Sequence, residues 1–374
     1  MRNMGVLGRL FAMVTGGMVL ILCQPELMAQ TEGKPTAEAP KTAEKQFKNV
    51  QVLKDIPADQ LIPTMQFISA SLGVECDFCH VEHEMQKDDK KPKVTARKMI
   101  SMELAINKGS FNNEIEVTCY TCHRGTPHPV GTPLLTAEAL KPPAHEMEEG
   151  TEAHPNLPSA DEILSKYLAA VGGPTALMKI KSRVQKGTIE AGGTQYPIEL
   201  YSEGPDKRVS ISHPQGGDSV TAYNGEVGWL TIRNGVHMMT ASEREAARID
   251  AELYFPAQVK ELYKDLRVAP GEEIDGHATY LIRAKGTEVP PARLSFDQQS
   301  GLLLRLTRFA ETPLGRNPTQ IDYGDYRVDD EVKIPYTWTL TRPNGSFTIK
   351  VEQVQQNVPI DQKLFVPPSQ SAAK

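Results

Sequence analysis

Four of the five cysteines in this 374-residue chain fall in two short runs, residues 74–82 (VECDFCHVE) and 117–125 (VTCYTCHRG). Each run spells Cys-x-x-Cys-His, so the backbone must twice present two thiols and an imidazole on one tight turn. The N-terminus frames how those thiols are read. Arg2 and Arg9 flank the start of an apolar run over residues 10–22, and LMAQ offers cleavage after Ala29, the pattern of a secretory signal. The run is short for a spanning helix. Cys23 follows it, but Leu22 stands where lipid attachment prefers a small residue. The chain is therefore expected to be exported to a periplasm, where paired thiols normally become disulfides. Neither run sits in a thioredoxin-like βαβ pattern, and a disulfide gives no reason for His80 and His123 at the same offset.

Cys-x-x-Cys-His is the attachment sequence for a c-type haem. Two thiols on one helical turn reach both vinyl groups on one side of a porphyrin, and the next imidazole faces the iron. Cys76, Cys79 and His80 are read as one such site, and Cys119, Cys122 and His123 as a second. The sixth ligand separates a carrier from a catalyst, because Met opposite His closes the iron and raises its potential. A helix is predicted ahead of the first motif, with Pro57 in its first turn, Gly73 at its end, and Leu61, Met65, Ile68 and Leu72 along one face. Pro63 is a local cost inside it. That placement makes Met65 a candidate ligand opposite His80. The stretch KVTARKMISMELAIN, residues 93–107, predicts a second helix with Ala96, Met99, Leu104 and Ile106 to one side. Met99 and Met102 are both candidates there. With thirteen methionines in the chain, core filling is the competing role for each. His83, His128, His145 and His154 read as solvated loop residues.

The segments NVQVLKDIPADQLIPTMQFISASLGVECDFCH and ARKMISMELAIN…VTCYTCHRGTPHPV resemble the N-terminal half of the cytochrome c subunit of photosynthetic reaction centres, over about residues 47–130. The resemblance implies Met65 as the ligand opposite His80 and Met99, the first methionine of MISM, as the ligand opposite His123. It also implies a membrane redox complex, in that family a photosynthetic reaction centre, as a partner. Two departures stand out. Only two of the family's four haem motifs are present, and KGSFNNEIEVT before Cys119 lacks a histidine that tetrahaem members use on another haem. A two-haem chain of this kind also suits respiratory electron transfer.

Downstream the character changes. Residues 131–158 are rich in proline, threonine and glutamate and read as a semi-extended linker; residues 30–46 read as a similar tether. Ser159 with Glu162 forms a capping box opening a helix that Gly172-Gly173 closes. Strand patterns follow at 183–191, 196–202, 207–212, 278–285, 292–297, 302–309 and 347–354. YNGE, DQQSG and RPNGS carry turn chemistry, Asn344-Gly345 being a hairpin signal. One helix, ASEREAARIDAELYF, interrupts them. Residues 159–368 are thus expected to form a large antiparallel sheet with helices against it. The opening helix, LSFDQQSGLLLRL, YGDYRVDDEVKIPYTW and NVPIDQKLF resemble the half-barrel of periplasmic lipoprotein-sorting carriers, which implies a lipid or lipoprotein ligand. The alternative is a docking or spacer domain with its inner face packed. Asp322, Asp325, Asp329 and Asp330 read as a solvated edge, not a calcium site.

The expectation is a multidomain protein: signal peptide 1–29, tether 30–46, a small mainly-α c-type dihaem cytochrome domain 47–130, linker 131–158, an α+β domain with a half-barrel-like antiparallel sheet 159–368, and a tail 369–374. It is expected to carry two covalently attached haems and to pass single electrons between a membrane redox complex and a soluble electron carrier, without being an enzyme. A formal net charge of −6 and the lack of a long basic run argue against nucleic acid. A peroxidase-like dihaem enzyme with one open iron, and a lipid or lipoprotein binder with accessory haems, are the competing classes.

Overall fold

The computed structural model describes residues 41–131, 156–232, 235–343 and 345–368. The expected signal peptide with Cys23, much of the tether, most of the linker with His145 and His154, Asn344 of the hairpin signal, and the tail lie outside them.

Residues 41–131 are helical. α1 is Ala43–Gln46 and α2 is Ala58–Leu72. α2 starts after Pro57 and stops at Gly73, whose left-handed conformation (φ 63°) lets its N–H return to the last turn, as a glycine C-cap does. Pro63 sits inside α2, where it removes one intrahelical donor. The short turns α3 (Cys76–Cys79) and α5 (Cys119–His123) flank the long helix α4 (Lys91–Ser110).

The rest is one sheet with helices. Ser159 and Glu162 form the expected capping box of α6, Ala160–Ala170, and α7 (Gly173–Lys179) follows. Six strands come next: β1 Ser182–Ala191, β2 Thr194–Glu203, β3 Lys207–Ser212, β4 Ser219–Asn224, β5 Gly228–Ile232 and β6 Gly235–Met238. The interrupting helix is two, α8 (Ala241–Ala251, capped by Thr240 and Glu243) and α9 (Phe255–Leu262). Seven strands complete the chain: β7 Asp265–Ile274, β8 His277–Lys285, β9 Ala292–Asp297, β10 Leu303–Thr312, β11 Gly315–Asp329, β12 Val332–Arg342 and β13 Gly345–Gln356.

All thirteen belong to one open antiparallel sheet in the order β6-β5-β4-β3-β2-β1-β13-β12-β11-β10-β9-β8-β7. The chain runs out to one edge, crosses through α8 and α9 to the other, and returns to pair β13 with β1. One face of the sheet packs on the helices: Tyr167, Leu177, Tyr254 and Val259 share a buried cluster with Leu200, Ile282, Leu294 and Phe296. The nearly buried Arg308 of β10 fixes α8 to this face. Its two Nη groups grip the Asp250 carboxylate, while Arg208 of β3 donates to the Asp250 carbonyl at 2.7 Å. A smaller cluster around Val209, Ala222, Trp229 and Phe365 is formed with the turn at Gln362–Phe365.

The helical residues and the sheet share a third core. Leu314, fully buried at the β10–β11 turn, joins Leu53, Phe67, Ile68 and Ile100, with Met65, Leu72 and Cys119 packed around them. A Cβ on Gly315 would come within 2.3 Å of the Phe67 ring, so a side chain there would drive the turn off α2. Asn317 Nδ2 donates to the Pro63 carbonyl at 2.7 Å. No helix among the described residues is long and apolar enough to cross a membrane.

Candidate haem-binding site

Both Cys-x-x-Cys-His runs fold as short helical turns, which is what brings two sulfurs i and i+3 onto one side. The second turn is capped by Thr118 and Thr121, whose hydroxyl accepts from the Thr118 N–H at 3.0 Å. None of Cys76, Cys79, Cys119 and Cys122 is in a disulfide. Burial raises the Cys79 thiol pKa. At Cys119 burial, and then the hydrogen bond to Glu103, raise it further.

The histidines repeat one arrangement. His80 Nδ1 lies 2.9 Å from the Met85 carbonyl oxygen, and His123 Nδ1 lies 2.9 Å from the Thr126 carbonyl oxygen. A carbonyl only accepts, so Nδ1 carries the proton in each neutral ring and Nε2 keeps its lone pair. That is the tautomer and supporting bond of a metal-ligating histidine. His123 is nearly buried and His80 half-buried. Among the described residues, no three His, Cys, Asp or Glu side chains converge to hold a bare ion.

The methionines are placed differently. Met65 is half-buried on α2 at the rim of the shared core. Met99 and Met102 lie exposed on α4, as does Leu104. The face of α4 that packs is therefore not the apolar one read from sequence. The buried stripe is Lys93, Ile100, Glu103 and Asn107, because its polar members each find a partner. Lys93 Nζ donates to the carbonyls of Met85 and Lys87, both at 2.7 Å. Glu103 Oε2 accepts from Cys119 Sγ at 2.9 Å. Asn107 closes the loop ahead of Cys119, donating to the Val117 carbonyl at 2.6 Å and accepting from its N–H at 3.0 Å. These three residues, with Thr126, were missed from sequence; their one signal is the seven-residue spacing of Lys93, Ile100 and Asn107 on a helix. On α2 the expected face packs in part: Leu61 and Ile68 are buried with Ala58, Thr64, Phe67 and Ser71, while Met65 and Leu72 sit at the edge.

Asp88 ties the first site's loops together. Its carboxylate takes Arg97 Nη1 at 2.9 Å and Nη2 at 2.8 Å, with Asn49 Nδ2 at 3.0 Å. Those hydrogen bonds, Arg97's first, hold its pKa well below the usual carboxylate range. Two close glycines join the repeats: Gly125 N–H donates to the Ser71 carbonyl at 2.9 Å, and Gly73 lies against Gly125.

The family described as "Photosynthetic reaction centre cytochrome C subunit" matches residues 16–168. The photosynthetic reaction center cytochrome c subunit of Thermochromatium tepidum is 38% identical over 104 residues, covering 26% of this chain and 26% of the relative. The subunit of the same name in Roseobacter denitrificans is 37% identical over 89 residues, covering 21% and 24%. The chain thus spans about a quarter of the length of the curated relatives it matches. A LolA-superfamily structure from Nitrosomonas europaea aligns with 56% of this chain and 99% of its own at 14% identity, with a TM-score of 0.40.

Proposed function

We propose that the chain is an exported dihaem c-type cytochrome that carries single electrons. Cys76 and Cys79 would hold one haem by thioether bonds and Cys119 and Cys122 the other, and His80 with Met65, and His123 with Met99, would supply the ligands to the two irons. Haem supplies the one-electron ferric/ferrous couple that these side chains lack. The single observation that carries the reading is the doubled arrangement of a Cys-x-x-Cys turn followed by a histidine whose Nδ1–H is spent on a backbone carbonyl. The residues present also fit the group in a second respect: Ile62, Phe78, Met85, Met99, Met102 and Leu104 are large apolar side chains left on the surface of one small helical region, and a porphyrin face is of the chemistry to cover them.

The chain's own part is to hold and tune. The two turns fix the sulfurs, the Met85 and Thr126 carbonyls set the imidazole tautomers, and Met65 and Met99 as ligands would leave the irons no open position for peroxide or oxygen. This supports an electron carrier over an enzyme. The relatives' names point to a photosynthetic reaction centre as the partner; a soluble carrier on the other side is part of the proposal itself, and respiratory use is the other setting for the same chemistry. A lipid-binding role for the sheet is less well supported, since its inner face is filled by side chains of α6 to α9.

The test is a pyridine haemochrome count with the ferric optical spectrum, on protein made in a host that attaches c-type haem. Two haems per chain are expected, each showing the methionine–iron charge-transfer band and neither taking up cyanide readily. Serine in place of Cys76 and Cys79, or of Cys119 and Cys122, should lower the count to one. Met65→Leu and Met99→Leu should each remove one methionine band. A high-spin iron that binds cyanide in the unsubstituted protein would make this an enzyme instead, and a chain without covalent haem would end the reading.

A further inference from the structure

The two sites differ in what stands behind each histidine. The Met85 carbonyl oxygen that faces His80 Nδ1 also accepts from Lys93 Nζ, at 2.7 Å. Lys93 is 8% exposed and is held by a further carbonyl, that of Lys87, and by Asp88 Oδ1 at 3.1 Å. Lys90 Nζ donates to the Asp77 carbonyl inside the Cys76–Cys79 turn. Lys93 and Arg97 therefore gather around one carboxylate, Asp88, on the His80 side, and Lys90 adds a third cation there. Behind His123 there is no such cation among the described residues. Among the described residues the Thr126 carbonyl faces His123 Nδ1 with no side-chain donor beside it, and the Thr126 hydroxyl bonds to the carbonyls of His123 and His128. The buried ionisable group on that side is Glu103, 5% exposed, with Oε2 on Cys119 Sγ and Oε1 without a partner.

Lys93, Arg97 and Lys90 outnumber the Asp88 carboxylate on the His80 side, so these differences act in one direction. A carbonyl oxygen already engaged by an ammonium is a poorer acceptor for an imidazole N–H, so the imidazole donates less density to its metal. A buried ammonium also disfavours the extra positive charge of a ferric centre more than it would in water. Both effects raise a reduction potential, one of the levers by which a protein tunes haem.

Resting on the reading that each motif holds one haem, we propose that Lys93 is a positioning residue, acting through the Met85 carbonyl and His80, that makes the Cys76/Cys79/His80 site the higher-potential of the two. An added electron then rests on the His80 side of the chain.

The experiment is a spectroelectrochemical titration of the full chain and of its two single-site forms, Cys119→Ser/Cys122→Ser and Cys76→Ser/Cys79→Ser. The His80-only form should show the higher midpoint. Adding Lys93→Met should lower that midpoint by about tenfold in the one-electron equilibrium, about 59 mV, with the methionine–iron band retained, and Lys93→Arg should restore most of it. The His123-only form should not respond to Lys93→Met. The proposal is overturned if the midpoints coincide or are reversed, if Lys93→Met moves neither, or if it moves both alike. Should Lys93→Met fail to fold, the order of the two unsubstituted single-site midpoints decides. Failure of the functional reading itself is distinct, because it appears as missing haem before any potential is read.

Discussion

Gly73→Val should cripple haem incorporation at both motifs, although Gly73 adjoins only the first. Gly73 has φ +63°, and a Cβ there would lie 2.2 Å from the Gly125 carbonyl oxygen. The left-handed conformation costs an L-residue about 1–2 kcal/mol, and overpacking against neighbours that cannot retreat adds about 1–3 kcal/mol. Gly125 cannot retreat without losing its 2.9 Å hydrogen bond to Ser71, and it lies two residues after His123. The expected result is a loss of roughly 2–5 kcal/mol, read as a lowered melting midpoint and well under two haems per chain. Gly125→Ala is the internal comparison. Gly125 has φ +81°, but a methyl group there would meet nothing within 4 Å, so only the backbone cost applies. Equal behaviour of the two variants would show that the Gly73 contact is not what limits the fold.

Leu314→Ala should destabilise the helical region even though Leu314 belongs to the sheet. It is fully buried among Leu53, Phe67, Ile68 and Ile100, and truncation of such a leucine costs about 2–5 kcal/mol. Denaturant unfolding followed at the haem Soret band and by far-UV circular dichroism should show the Soret transition moving to lower denaturant by an amount in that range. An unchanged Soret transition would mean that the hairpin merely rests on α2. Asn317→Ala, which frees the Pro63 carbonyl, should move it in the same sense by about 1 kcal/mol.

What could be read from the chain and what could not divide along physical lines. The two Cys-x-x-Cys-His turns were legible because residue types at fixed spacing dictate a turn. α2 was legible because Pro57 and Gly73 bracket it. The seven expected strands are all present, each alternating or running apolar at strand length. Of the six passed over, β4, β5 and β6 are only four to six residues long, and the other three were hidden by their chemistry. β7 contains Pro270 and Gly271 and is bulged between Pro270 and Glu273. β11 and β12 carry Pro318, Gly324 and Pro335 within long runs that neighbours hold extended, a case of tertiary context overriding propensity. The packed face of α4 was misread for a related reason. Lys93, Glu103 and Asn107 look solvent-facing until the carbonyls and the sulfur that receive them are in place. The Leu314 contact with α2 spans far too much sequence for any local pattern to announce it.

The strand order has a kinetic consequence. Every pairing in the sheet but one joins strands consecutive in sequence, so both arms zip up by local hairpins at little loop-closure cost. The exception is the seam between β1 and β13, which must gather the two ends of the whole sheet region after the crossing through α8 and α9. Pairing of such high sequence separation is slow. The centre of the finished sheet is therefore the last part to close, and its two free edges are among the first to exist.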